Sequence, residues 1–247
     1  MINRTELIRY CDELLQAKLF KDYCPNGLQV EGQETVSRIV SGVTASQALI
    51  DCAIEQQADL LLVHHGFFWK GEAPELTGIK KTRLKSLLLN DINLLAYHLP
   101  LDAHKALGNN IQLAEKLGLE LEQYFADNDI ALLGRINEQT GAAFGQRIAD
   151  VLNREPLHVA VDRPVRRVAL CTGAAQGYIE QAVTMGADAF ISGEISENTW
   201  HMARENNIHY YAAGHHATER YGVQALGQHL AERFQLQHEF IDINNPV

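Results

Sequence analysis

The sequence predicts an α/β fold of two similar lobes with largely parallel sheets, and three observations carry that prediction. Apolar, strand-like runs alternate with helical patterns along most of the chain, the order from which parallel sheets are built. The chain also repeats itself. A shift of 129 positions aligns residues 38–65 with 167–194 without gaps, matching Arg38 with Arg167, Ala45 with Ala174, Gln47 with Gln176, Ile50 with Ile179, Ala53 with Ala182, Ala58 with Ala187 and Asp59 with Asp188. Finally, three strand-like runs end in metal-ligand residue types: His64-His65, His98 with Asp102, and His215 with Glu219.

Taken in order, residues 5–18 place Leu7, Ile8, Cys11, Leu14 and Leu15 at helical spacing, with Asn3 or Thr5 as the cap. Pro25 and Asn26-Gly27 mark an irregular loop through Val30. Residues 37–43 read as a strand and 46–57 as a helix. Leu60-Leu61-Leu62-Val63 is a continuous apolar run, as in a strand buried on both faces. A helix over 80–90, a strand over 92–97 and a helix over 109–117 follow, with Gly118 as a stop. The second half reads as strand 130–136, helix 141–152, strands 157–161 and 167–171, helix 179–185, strand 188–192, helix 199–205 and strand 208–212. A long helical pattern then opens at Gly214 and runs past Leu230, and 239–243 forms a last strand. The lobes divide as 1–125 and 126–247, with terminal segments able to exchange between them.

Composition removes some functions. Thirty-one acidic residues against twenty-one basic ones give a net charge of −10, which argues against tight general binding of nucleic acid. No apolar run reaches membrane-spanning length, and the N-terminus has no leader pattern. Cys11, Cys24, Cys52 and Cys171 are widely spaced, with no C-x-x-C pair, so neither a disulfide framework nor a zinc–thiolate site is expected. The cytoplasm is the expected compartment. Eleven histidines, several in adjacent pairs, point to metal chemistry.

Ligands of parallel α/β sheets collect beyond the C-terminal strand ends. His215 and Glu219 stand four apart at a helix start and so share a face. A shift of 117 lays His98 over His215 and Asp102 over Glu219. Adjacent strand residues point to opposite faces, so His64 and His65 both reach the site only if the strand ends there, as Gly66 allows. These nitrogen and oxygen donors suit Zn, Fe, Mn or Ni, and they exceed what one tetrahedral ion needs. His216 points about 100° away from His215. His104, His158, His201, His209, His229 and His238 read as structural or surface groups.

The segments 59–66 (DLLLVHHG), 98–102 (HLPLD) and 214–219 (GHHATE) resemble the three motifs of the Nif-three-like proteins, labelled GTP cyclohydrolase 1 type 2 homologues. Residues 26–30 (NGLQV) match that family's N-terminal signature, so the resemblance spans nearly the whole chain. It implies two similar lobes facing across a metal cleft, a centre of two divalent ions held by His64, His65, Asp102, His215 and Glu219, and a toroidal homohexamer. His98 falls beside these ligands as a further ligand or a proton carrier.

The chemistry this implies is hydrolysis by metal-activated water. The family label points to hydroxide addition at C8 of a guanine nucleotide, ring opening and loss of formate, with His98 or His216 supplying protons. No P-loop is present. The Thr172–Gly177 turn offers either backbone amides for an anion or a plain tight turn. Lys70, Lys80, Lys81 and Arg83 are either phosphate contacts or solvated charge. Two other functions stay open: a metal-binding scaffold without catalysis, and a metallo-phosphoesterase acting on nucleotides or nucleic-acid ends.

Overall fold

The computed structural model describes all residues, Met1–Val247. The chain divides into two compact units, Met1–His104 with Gly222–Asn244, and Lys105–Tyr221 with Asn245–Val247. The boundary falls earlier than residue 125 because the segment after His104 packs with the second unit, and the C-terminal segment returns to the first.

The first unit opens with β1 (Ile2–Asn3) and α1 (Arg4–Leu14), capped by Asn3, whose side chain accepts from Thr5 N. The 26–30 stretch is not a loop. It contains β2 (Gly27–Val30), an antiparallel edge strand, with Gly27 at φ +102°. Next come β3 (Thr35–Val36), β4 (Arg38–Thr44), α2 (Gln47–Glu55), β5 (Leu60–His65), α3 (Gly78–Leu89), β6 (Asn93–Ala96) and α4 (Leu99–Ala103). β4, β5 and β6 are parallel neighbours, and the run Leu60–Val63 is fully buried, as its continuous apolarity requires.

The second unit contains α5 (Asn109–Lys116), β7 (Glu120–Phe125), β8 (Ala131–Gln139), α6 (Gly141–Leu152), β9 (Leu157–Val159), β10 (Val165–Leu170), α7 (Ile179–Thr184), β11 (Ala189–Ser192), α8 (Glu197–Glu205), β12 (His209–Ala212) and the short α9 (His215–Thr218). Its sheet runs β7-β8-β10-β11-β12-β9. The central three strands are parallel, and β8 and β9 flank them antiparallel. The core beneath includes Leu132, Phe144, Ile148, Leu170, Ile191 and Tyr211.

The long C-terminal helical pattern is two helices. Glu219, at φ −105° and ψ 10°, separates α9 from α10 (Arg220–Phe234). β13 (Gln237–Phe240) then pairs in parallel with β4, completing the first sheet in the order β13-β4-β5-β6-β2. No disulfide joins the four cysteines, and no helix is long and apolar enough to cross a membrane.

The internal repeat holds at the level of hydrogen-bonded register. Ile39 faces Leu60 between β4 and β5, and at the same shift Val168 faces Ala189 between β10 and β11. The correspondence also reaches upstream: α1 with β2 matches α6 with β9, a helix followed by an antiparallel edge strand beside the third parallel strand.

Candidate metal centre

In the first unit the ligand-type side chains emerge where β5 and β6 end. His64 is fully buried, and His65 is the last residue of β5. His98 sits in the turn between β6 and α4, and Asp102 lies on α4 with Pro100 in the helix's first turn, where a missing N–H costs nothing. His64, His65 and His98 each offer a ring nitrogen within 4.8 Å of the others. His64 Nε2 lies 3.5 Å from Asp102 Oδ1. The strand-end geometry therefore brings His64 and His65 to one place, with ring centroids 4.6 Å apart.

Each of these imidazoles has a partner on Nδ1. His64 Nδ1 donates to the Tyr97 carbonyl at 2.9 Å, His65 Nδ1 lies 3.2 Å from Thr44 Oγ1, and His98 Nδ1 donates to Asp22 Oδ1 at 2.7 Å. A carbonyl or carboxylate on Nδ1 fixes the tautomer and turns Nε2 outward as the coordinating atom, the arrangement that supports metal-bound histidines.

Asp22 carries no obvious signal in the sequence, yet it organises this loop. Its Oδ2 accepts from Leu99 N and Asn26 Nδ2, while Asn26 Oδ1 accepts from His98 N. Burial would raise its pKa, but the hydrogen bond and charge of His98 outweigh that and hold the carboxyl down at about 2.

The second unit places His215 at the start of α9 and Glu219 one turn on, with His215 Nε2 3.2 Å from Glu219 Oε2. His215 Nδ1 donates to Glu194 Oε1 at 2.7 Å. Burial alone would lower the His215 pKa, but the hydrogen bonds and charges of Glu219 and Glu194 reverse this and raise it to about 9. Glu194, like Asp22, is a supporting carboxylate absent from the sequence-derived ligand set. The repeat contains its signal, because the shift of 129 pairs it with His65.

Two glycines let this half form. Gly173 lies at φ +69°, and a Cβ there would stand 2.2 Å from Glu219 Oε1. A Cβ on Gly193 would meet the His215 backbone at 2.7 Å. The Thr172–Gly177 segment is a tight turn rather than an anion cradle. Thr172 N donates to Asn110 Oδ1, Gly173 N to Thr218 Oγ1 and Ala175 N to Ser192 Oγ, so these amides serve the fold. His216 is buried, and its amide donates to the Val247 carbonyl.

The donor chemistry fits a divalent metal. Imidazole and carboxylate groups are the ligands that borderline first-row ions accept, and each unit supplies them with supporting hydrogen bonds already made. No thiol joins the imidazole set of β5 and β6, although Cys24 lies near Asp22 and His98, each offering a ligand atom within 4.8 Å of the others. Burial, with the charge of Asp22 second, pushes the Cys24 thiol up to about 12.

Comparison with known proteins finds relatives along the whole chain. The family profile Duf34/NIF3 (NGG1p interacting factor 3) matches residues 2–246. A Pseudomonas aeruginosa protein called GTP cyclohydrolase 1 type 2 homolog is 58% identical over 245 residues, covering 98% of this chain and 97% of the relative. A Vibrio cholerae protein of the same designation is 53% identical with full coverage of both chains. Among solved structures, the protein ybgI, of unknown function, superposes with a TM-score of 0.96 at 50% identity over both full chains. A Thermus thermophilus protein superposes at 0.92 with 35% identity, again over both full chains.

Proposed function

The chain belongs to the Duf34/NIF3 family, and from that premise we propose that it is a hydrolase dependent on two divalent metal ions, acting on a purine nucleotide or a related nucleotide. The ligands in this reading are His64, His65 and Asp102 of the first unit with His215 and Glu219 of the second. The observation that carries it is the repeated support of a strand-end imidazole by a carboxylate on Nδ1: Asp22 on His98 and Glu194 on His215.

Divalent ions held there, Zn, Fe, Mn or Ni by donor type, supply Lewis-acid chemistry that polarises an electrophile and lowers the pKa of water from ~15.7 toward ~7. The protein's part is positional. Asp22 and Glu194 keep His98 and His215 in one tautomer, and the Tyr97 carbonyl does so for His64. His98 is the group placed to carry a proton to a ring nitrogen or leaving atom, with Asp22 holding its ring in place through Nδ1. The names of the relatives favour GTP cyclohydrolase chemistry over phosphate-ester hydrolysis, and formate is the product that distinguishes the two.

The same reading takes the assembly to be a toroidal homohexamer in the cytoplasm. Ile79 and Leu89 on α3 are 70% and 72% exposed, apolar surface that contact between copies would cover. Sedimentation velocity tests the hexamer directly.

Elemental analysis of gently purified protein tests the centre, with about two ions per chain expected and fewer than half an ion sinking the reading. Formate release from GTP, abolished in His64→Ala and Glu219→Ala, is the expected activity. Phosphate release instead identifies a phosphoesterase. Metal-loaded protein inert toward a nucleotide panel identifies a scaffold.

A further inference from the structure

Two loops of the first unit place aromatic side chains around His98. Tyr23, in the loop before β2, meets His98 edge-on at 6.5 Å between centroids and is 63% exposed. Trp69, just beyond β5, meets His98 edge-on at 5.1 Å and His65 at 5.8 Å. Phe68 stands beside it, 38% exposed, at φ +66°. Tyr23 and Trp69 both contact His98, so these rings form a group beside one imidazole rather than single scattered side chains. A left-handed φ at a non-glycine aromatic is a strained conformation of the kind found at binding sites.

The rings are held in place before any ligand arrives. The indole Nε1–H of Trp69 donates to the Gly66 carbonyl at 3.2 Å, so the ring plane is fixed. Trp69 N donates to Glu72 Oε2, and Glu72 N returns to the Trp69 carbonyl. Lys70 N donates to the Tyr23 carbonyl at 2.6 Å, which staples the two aromatic loops together. Asp22, next to Tyr23, is the carboxylate that orients His98. The loop that aims the imidazole thus also presents the aromatic ring, and prior ordering of this kind lowers the entropy cost of binding.

We infer that Tyr23 and Trp69 form a stacking platform that holds the heteroaromatic base of a nucleotide beside His98. The inference rests on the nucleotide reading above and deepens it by naming the side chains that recognise the base. Aromatic side chains take bases by their π-faces. Both rings lie against His98, with 65° and 84° between ring planes, so a base stacked on either of them sits next to the imidazole that would move a proton.

The test uses full-length, metal-loaded protein carrying Trp200→Phe, so that Trp69 is the one remaining indole of the chain's two. Guanosine and GMP are expected to quench its fluorescence, and ribose 5-phosphate is not. In equilibrium dialysis, Tyr23→Leu and Trp69→Leu weaken GMP binding roughly tenfold each. Tyr23→Phe and Trp69→Phe keep a ring and largely restore it. Metal content per chain stays at the parent value in all four. The platform is overturned if GMP binding is unchanged in the Leu variants, if ribose 5-phosphate binds as tightly as GMP, or if no purine binds the parent. Protein that binds GMP through these rings yet releases no product from any nucleotide keeps the platform and loses the hydrolytic reading. Protein that hydrolyses GTP with the same KM in Trp69→Leu keeps the hydrolase and loses the platform.

Discussion

Asp59 and Asp188 do the same work in two lobes, 129 positions apart. Asp59 Oδ2 accepts from Ser37 N and Arg38 N at 2.7 and 2.9 Å, and Asp188 Oδ2 accepts from Arg166 N and Arg167 N at 3.0 and 2.8 Å. Each carboxylate, one residue before a parallel strand, ties down the entry of the strand beside it. Such a pair of charge-assisted bonds leaves two backbone donors without partners when it is removed. Asp59→Ala and Asp188→Ala are therefore expected to cost about 1–3 kcal/mol each. The melting temperature should fall by a few degrees per kcal/mol, and a change below one degree in both variants would remove the carboxylates from this role.

Asp22→Asn tests the support of His98 without emptying the space. The amide can still accept one hydrogen bond, but it presents no charge to the imidazole. Because Asp22 orients the imidazole placed to carry the proton, the kcat for formate release from GTP is expected to fall on the order of 10-fold or more, with metal content per chain at the parent value. Thermal stability also falls, because the amide nitrogen cannot accept from Leu99 N and Asn26 Nδ2 as the carboxylate does, and an unchanged kcat would separate Asp22 from the reaction.

The parallel core was legible because it is written locally. Leu60–Val63 is apolar at every position, as a strand covered on both faces must be, and its repeat partner β11 reads the same way. The edges were not. Glu120-Leu121-Glu122-Gln123 of β7 is exposed and carries no apolar period, so its strand character comes from pairing with β8 rather than from its own residues. β2 was hidden by Pro25 and Asn26-Gly27, which announce a turn and do lead into one, yet the strand begins at that glycine. The ligand candidates were legible from their strand-end positions, but their supporting partners were not. Asp22 lies 76 residues before His98 in the chain, and nothing local in its loop signals a long-range hydrogen bond. Glu194 was within reach, since the repeat aligns it with His65.

Gly173→Ala tests the second lobe's half of the centre through the backbone. The new methyl would enter at 2.2 Å from Glu219 Oε1, at a φ of +69° that alanine adopts only under strain. The carboxylate has to move or the turn has to open. Metal content per chain is expected to fall to half or less, together with a stability loss on the order of 1–3 kcal/mol. Gly177→Ala, where a Cβ meets nothing within 4 Å, is the matched control and should retain full metal content. Full metal content in Gly173→Ala would show that Glu219 is not confined as the geometry implies.

A histidine pair outside the ligand set, His158 and His209, predicts how stability follows pH. His209 Nε2 donates to the Arg163 carbonyl at 2.9 Å, so its Nδ1 is left to accept, and His158 Nε2 donates to it at 2.9 Å. The His158 ring stacks on Tyr211 at 4.3 Å. Burial, with the neighbouring His209 second, pushes the His158 pKa down to about 4 from its ordinary 6.5. Above pH 6.5 the residue is neutral in both folded and unfolded chains, and the pair costs nothing. As pH falls from 6.5 toward 4, the unfolded chain takes up a proton that the folded one refuses, so stability declines across that window and the loss is complete below it. Because the ring is only half-buried, solvent screening reduces the linkage figure to about 1 kcal/mol between pH 7 and pH 5. Urea unfolding at the two pH values measures it. His158→Gln should show a smaller pH dependence than the parent by that amount, and equal dependence in the two proteins would mean that His158 titrates in the fold as it does in the open chain.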